Sequence, residues 1–89
     1  MKHQKGKNKG QVTLYALSTC AWCKRTKELL DELKVKYDHV YVDNLSGQER
    51  VDTVEEIKLW NPRCSFPTLV INNQCIVGFE EQKIREALA

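Results

Sequence analysis

The hydrophobic rhythm of the chain changes at one point, and that change limits the folds open to it. Residues 12–17, Val-Thr-Leu-Tyr-Ala-Leu, are rich in β-formers and too short for a helix, which predicts a buried strand. From Cys20 the spacing turns helical, with Cys23, Thr26, Leu29, Leu30 and Leu33 on one face. Lys24, Arg25, Lys27, Glu28, Asp31 and Glu32 fall mainly on the other, where Glu28 and Glu32 offset Lys24 and Arg25. Ser18-Thr19 stands at the junction and offers hydroxyls to cap the helix. A strand that feeds a helix in this way returns as a parallel neighbour through a right-handed crossover.

The returning strand is 37–43, Tyr-Asp-His-Val-Tyr-Val-Asp, whose odd and even positions face opposite sides. A turn over 44–47 leads to a second helix at about residues 48–59, with Val51, Val54, Ile57 and then Trp60 on its inner stripe. Asn61-Pro62 ends it, because the residue before proline is pushed out of helical geometry. Residues 68–77 read as a hairpin around Asn72-Asn73. Gly78 breaks the second strand, and 80–88 forms a last helix with its acids at the favourable end of the dipole. The order β-α-β-α-β-β-α predicts an α/β architecture: a mixed four-stranded sheet with helices on both faces.

At 89 residues there is room for one domain. The net charge of +2 is uneven, since Lys2, Lys5, Lys7 and Lys9 crowd the first ten residues without an acid. Residues 1–10 are expected to be a disordered basic tail, with the domain over 11–89. Nothing aromatic is interleaved with those lysines to stack on bases, so nucleic acid is not an expected partner. No stretch approaches the roughly 20 apolar residues of a membrane span, and no export signal precedes 12–17. The expected location is therefore the cytosol, with no membrane partner.

Four cysteines in a reducing compartment point to redox chemistry or metal binding sooner than to a disulfide scaffold. Their spacing decides between the two. Cys20-Ala-Trp-Cys23 lies where the strand ends and the helix begins, where free N–H groups and the macrodipole favour an anion. Cys20, at the exposed start, is the expected attacking thiolate. Cys23, one turn deeper, is the resolving thiol that closes the disulfide and releases the reduced substrate. A zinc site would need two further ligands, and Cys64 and Cys75 do not form a second Cys-x-x-Cys. Cys75 is expected to pack as a small hydrophobe and Cys64 to be a loop cysteine, with a third redox thiol as its sharper alternative.

Three motifs together, Cys20-Ala-Trp-Cys23, Ser65-Phe66-Pro67 and Gly78-Phe79, resemble the glutaredoxin family, including the glutaredoxin-like NrdH redoxins. The likeness runs over roughly residues 11–89 and implies the thioredoxin fold and thiol–disulfide oxidoreductase activity. It also implies that Pro67 is cis and faces the Cys20 sulfur, leaving the Phe66 backbone to pair with an incoming chain. Trp22, Phe66, Pro67, Gly78 and Phe79 are the residues expected to bind substrate. The function this implies is an electron carrier that reduces protein disulfides. Its expected partners are disulfide-bearing proteins, ribonucleotide reductase among them by the NrdH likeness, and an upstream reductase. No tightly bound cofactor or metal is expected, and the chain is expected to act as a monomer.

Departures from the family pattern bear on glutathione. Alanine and tryptophan replace the common proline and tyrosine between the cysteines, Ser18-Thr19 stands where many members carry a base, and Val77-Gly78 replaces a Gly-Gly pair. Glutathione stays open as a reductant. The alternatives are a glutathione-dependent glutaredoxin, an iron–sulfur cluster carrier and a thiol-switch module without turnover.

Overall fold

The structure, a computed structural model, describes residues 2–4 and 10–89. Its strands are β1 (Lys2–Gln4), β2 (Val12–Ala16), β3 (Tyr37–Tyr41), β4 (Thr68–Ile71) and β5 (Gln74–Val77). Its helices are α1 (Ala21–Glu32), α2 (Gly47–Trp60) and α3 (Glu81–Ala87), and a 3-10 turn, Val42–Asn44, follows β3. The strands form one sheet in the order β1-β3-β2-β4-β5. β2 and β3 run parallel, as a crossover through α1 requires, and β4 and β5 continue antiparallel from β2. This is the thioredoxin fold that the resemblance implied, and the four-stranded mixed sheet expected from the element order is β3-β2-β4-β5 within it.

One strand was not expected. Within the segment read as a disordered tail, Lys2–Gln4 pairs antiparallel with β3, Lys2 opposite His39 and Gln4 opposite Tyr37. Residues 1 and 5–9 of that segment lie outside the described residues. The physical reason for the pairing is the sheet edge. Without β1, β3 would present a row of unpaired backbone groups, which is a template for an added strand whatever its side chains. Lys-His-Gln has little β-propensity of its own, so composition did not reveal it.

Each face of the sheet has its own core. Val12, Leu14 and Ala16 of β2, with Leu69 and Ile71 of β4, pack against Leu29, Leu30, Ile84 and Leu88 from the α1 and α3 side. Tyr15 and Val70, which alternate with them, face the other way onto Ile57 of α2. Helices on both faces also explain why β3 reads as an alternating strand yet is buried at four of its five positions. The stripe expected on α2 is narrower than its spacing suggested. Ile57 is buried and Val54 half-buried, but Val51 is exposed. Two tyrosines bolt helices to the sheet: Tyr15 donates to Glu56 at 2.6 Å and Tyr37 to Asp31 at 2.7 Å.

The loop before β4 is held by one buried side chain. Asn61, 5% exposed, directs its amide Nδ2 to the Ser65 carbonyl at 3.1 Å, Ser65 Oγ at 3.1 Å and Thr68 Oγ1 at 3.0 Å. The Asn61 carbonyl accepts from the Cys64 N–H at 2.8 Å, and Thr68 Oγ1 donates to the Ser65 carbonyl at 2.6 Å. Asn61 thus does more than end α2: it shapes the loop that carries Phe66 and Pro67. Removing it leaves buried polar groups without partners, a loss of about 1–3 kcal/mol. Asn61→Ala is expected to lower the unfolding free energy by about that amount, read by urea denaturation, while exposed Asn73→Ala changes it little.

Candidate active site

The two cysteines meet at the start of α1. Cys20 is its N-cap, with extended backbone (φ −89°, ψ 117°), and its Sγ accepts the N–H of Cys23 at 3.2 Å. The hydroxyls of Ser18 and Thr19 were expected to cap the helix, but the sulfur takes that role. The Cys20 N–H closes the preceding turn onto the Leu17 carbonyl at 3.2 Å, and the Cys20 carbonyl accepts from Lys24 at 3.1 Å. Strand end, tight turn and helix start therefore fix the sulfur from three sides.

The environments of the two thiols differ. Cys20 is half-buried and opens on a groove of about 370 Å³, lined also by Leu17, Ser18, Lys24, Lys27 and Tyr41. Cys23 is 1% exposed and packs in the core with Leu29 and Leu30. Burial pushes its thiol up to about 12. That rise already includes the hydrogen bond with Cys20 and smaller effects of the Cys20 and Asp43 charges, partly opposed by a backbone hydrogen bond from Leu17. Cys23 is thus a protonated thiol held beneath an accessible sulfur.

The remaining expected residues form two small assemblies. Trp22, 61% exposed, stacks on Phe79 with centroids 5.8 Å apart and planes 20° from parallel. The Arg25 guanidinium lies 5.7 Å from the centroid of the same ring. Ring stacking and cation–π contact of this kind contribute on the order of 1 kcal/mol each and tie α1 to the approach to α3. The Phe66–Pro67 peptide is cis, as the resemblance implied. The Pro67 carbonyl accepts from the Gly78 N–H at 2.9 Å, which joins the loop before β4 to the end of β5. Gly78 has φ +81°, a region side chains rarely adopt, and this accounts for glycine there. Phe66 is half-buried and packs against both cores.

Cys64 and Cys75 take no part in these contacts. Cys64, at φ 51°, packs with the Tyr15, Val40 and Ile57 core on the α2 side, whereas Cys20 and Cys23 belong to the other. Cys75 is half-buried on β5, opposite Val70, and burial raises its thiol. All four cysteines are free. Among the described residues, no cluster of three or more His, Cys, Asp or Glu side chains is arranged to hold a metal ion, and no helix is long and apolar enough to cross a membrane. Sequence reasoning missed Asp43. Its carboxylate accepts the Ser18 N–H at 2.9 Å and the Ser18 hydroxyl on its other oxygen. A polar residue at the end of a parallel strand, beside the turn of its neighbour, was the available signal.

A reactive-looking cysteine pair at a strand-to-helix junction on this sheet defines a redox protein of the thioredoxin fold. The family model described as Glutaredoxin matches residues 12–76. The chain is 35% identical over 71 residues to a glutaredoxin 1 of Rickettsia bellii, covering 79% of this chain and 70% of that one. It is 32% identical to a glutaredoxin-like 8.6 kDa protein of Clostridium pasteurianum, over 82% of this chain and 91% of that protein. Two crystal structures are also similar. The glutaredoxin from Methanosarcina mazei Go1 has TM-score 0.93 and 52% identity, covering 99% of this chain and 86% of that one. The Methanosarcina acetivorans methanoredoxin has TM-score 0.91 and 45% identity, covering 94% and 90%. The chain belongs to the glutaredoxin family, whose members are generally thiol–disulfide oxidoreductases.

Limiting iodoacetamide at neutral pH is expected to label Cys20 in the reduced protein and leave Cys23 unmodified, as peptide mapping would show. An acid whose value is raised stays protonated until the pH nears that value. Cys23 should therefore resist labelling as the pH is taken past 9. Preferential labelling of Cys23 would reverse the two roles.

Proposed function

We propose that this protein is a cytosolic, monomeric dithiol–disulfide electron carrier that reduces disulfides in other proteins. The observation that supports the reading is the unequal placing of the two sulfurs: an accessible one at the helix start and a buried, protonated one hydrogen-bonded beneath it.

The Cys20 thiolate attacks one sulfur of the substrate disulfide, forming a mixed disulfide and expelling a substrate thiolate. In that intermediate Cys20 no longer carries the charge that helps hold Cys23 up, so Cys23 ionises more readily. The proton goes to the expelled thiolate. Cys23 sulfur then attacks Cys20 Sγ, closes the Cys20–Cys23 disulfide and releases the second substrate sulfur as a thiolate, which takes a proton from solvent. Two electrons pass from the protein dithiol to the substrate disulfide. Trp22, Phe66, Pro67, Gly78 and Phe79 are read as the surface on which the substrate chain lies, and ribonucleotide reductase is one candidate substrate.

The residues argue against glutathione as a good reductant. Where many family members carry a base ahead of the first cysteine, Ser18 is bound to an acid, Asp43. Val77 places a half-exposed side chain where a glycine would leave room. A charged hydrogen bond contributes roughly 1.5–3 kcal/mol, so losing one carboxylate partner weakens glutathione about tenfold or more. An enzyme of the thioredoxin-reductase type is the better donor in this reading.

Two measurements test these proposals. Cys23→Ser should accumulate a stable mixed disulfide with a protein substrate, visible by non-reducing electrophoresis and mass. Wild-type turnover by that variant would rule out the two-cysteine mechanism. Micromolar thioredoxin-type reductase should reduce the Cys20–Cys23 disulfide faster than millimolar glutathione. Fast, saturable reduction by glutathione, with none by such a reductase, would overturn the donor assignment.

A further inference from the structure

Cys20 and Lys24 are one helical turn apart, and the Lys24 N–H donates to the Cys20 carbonyl at 3.1 Å. Residues at this spacing share one side of a helix, so the lysine stands beside the sulfur. Lys24 lines the groove of about 370 Å³ with Cys20, and also a second one of about 430 Å³ with Trp22 and Arg25. It therefore sits on the ridge between the Cys20 sulfur and the exposed Trp22–Phe79 stack. The charges along this ridge are unequal. The first turn of α1 holds no acid. Lys27 pairs with Asp31 at 3.2 Å, and Arg25 lies over Phe79. Lys24 and Glu28 are exposed, and neither forms an ion pair among the described residues. At a rise of about 1.5 Å per residue, Lys24 lies roughly 6 Å along the helix from Cys20 and Glu28 roughly 12 Å. Only the lysine falls within the Debye length of about 8 Å at physiological salt. Asp43 lines neither groove, and its oxygens are taken by Ser18. The unpaired charge that a chain meets beside the sulfur is a cation.

We propose that Lys24 is a specificity-determining residue that selects acidic partners: polypeptides whose disulfide is flanked by carboxylates and whose chain lies across the Trp22–Phe79 stack. The proposal deepens the dithiol reading above and rests on it. A carboxylate beside the attacked cysteine pairs with Lys24, while the aromatic surface supplies contact area. Arg25, held over Phe79, adds a second positive charge to the groove beside Trp22. One free cation serves a polypeptide that has other contacts, whereas glutathione needs partners for two carboxylates at once. The reaction is the one already described: reduced protein and peptide disulfide give oxidised protein and peptide dithiol, two electrons passing. An exposed ion pair changes such an encounter by about two- to fivefold.

The test uses the intact, fully reduced chain in single turnovers with three synthetic peptides that carry the same internal disulfide. They differ only in the residues flanking the cysteines, which are glutamate, glutamine or lysine. Rates are compared within each protein, so a change in the reactivity of Cys20 cancels. Wild type should reduce the glutamate peptide about two- to fivefold faster than the glutamine peptide, and the lysine peptide most slowly. At about 1 M salt, where the Debye length is roughly 3 Å, the three rates should converge. K24Q should bring the glutamate and glutamine peptides together, and K24E should make the lysine peptide the fastest. K58E changes the net charge equally, but from the exposed side of α2 on the other face of the sheet, and should keep the wild-type order. Equal wild-type rates for the three peptides, an unchanged order in K24E, or a K58E effect as large as that of K24E would overturn the proposal. A wild-type chain that reduces none of the peptides would instead overturn the dithiol reading.

Discussion

The hydrogen bond from the Cys23 N–H to Cys20 Sγ is the contact on which the site depends. A helix start leaves N–H groups without partners, and most helices satisfy them with a hydroxyl or carboxylate. Here the acceptor is the sulfur of Cys20, the one proposed to react, so folding and the proposed chemistry use the same atom. An anionic sulfur is a better acceptor than a neutral one and also meets the positive end of the α1 dipole. The helix start and the reduced state therefore support each other. The same bond orders the pair, because the residue that donates it carries the second thiol down into the core.

That arrangement needs a rigid floor, which a short chain builds by using its sheet twice. β2 and β4 contribute alternate side chains to two cores, so a few residues anchor helices on both faces. The loop bearing Phe66 and Pro67 has no core of its own and relies on polar ties. Asn61 holds it from the α2 side and Gly78 from the end of β5. Buried polar networks of this kind specify one arrangement because an unsatisfied member is costly. The fold thus spends its apolar residues on the sheet and its hydrogen bonds on the site.

How much of this was legible in the sequence depended on the range of the interaction. The β2–α1 switch, the hairpin at Asn72-Asn73 and the break at Asn61-Pro62 are local patterns, and each element lies within a residue or two of its expected bounds. The 3-10 turn shortened the strand expected to reach Asp43. The pairing of β1 with β3, the Ser18–Asp43 clamp and the Asn61 network join residues distant in sequence, or rest on geometry that periodicity does not encode. Val51 failed for a related reason. A helical stripe gives a face but not how far the neighbouring sheet extends beneath it. The cysteine motif was legible because its whole meaning lies within one helical turn.

The rim around Cys20 shows what the departures from the family pattern do physically. With alanine in place of proline at position 21, the motif loses a rigid ring, but Trp22 gains a partner in Phe79, and Arg25 covers the same ring. Trp22 and Arg25 of α1 and Phe79, between β5 and α3, thus meet in one stack beside the two cysteines. Trp22 remains mostly exposed in that stack, so it presents a large, preorganised apolar surface at little further entropic cost. Beside it stand Lys24, Arg25 and Glu28, while Lys27 and Asp31 pair with each other further along α1. A broad exposed aromatic surface of this kind suits the contact area of an extended polypeptide, and this is why the proposed substrate is a protein disulfide.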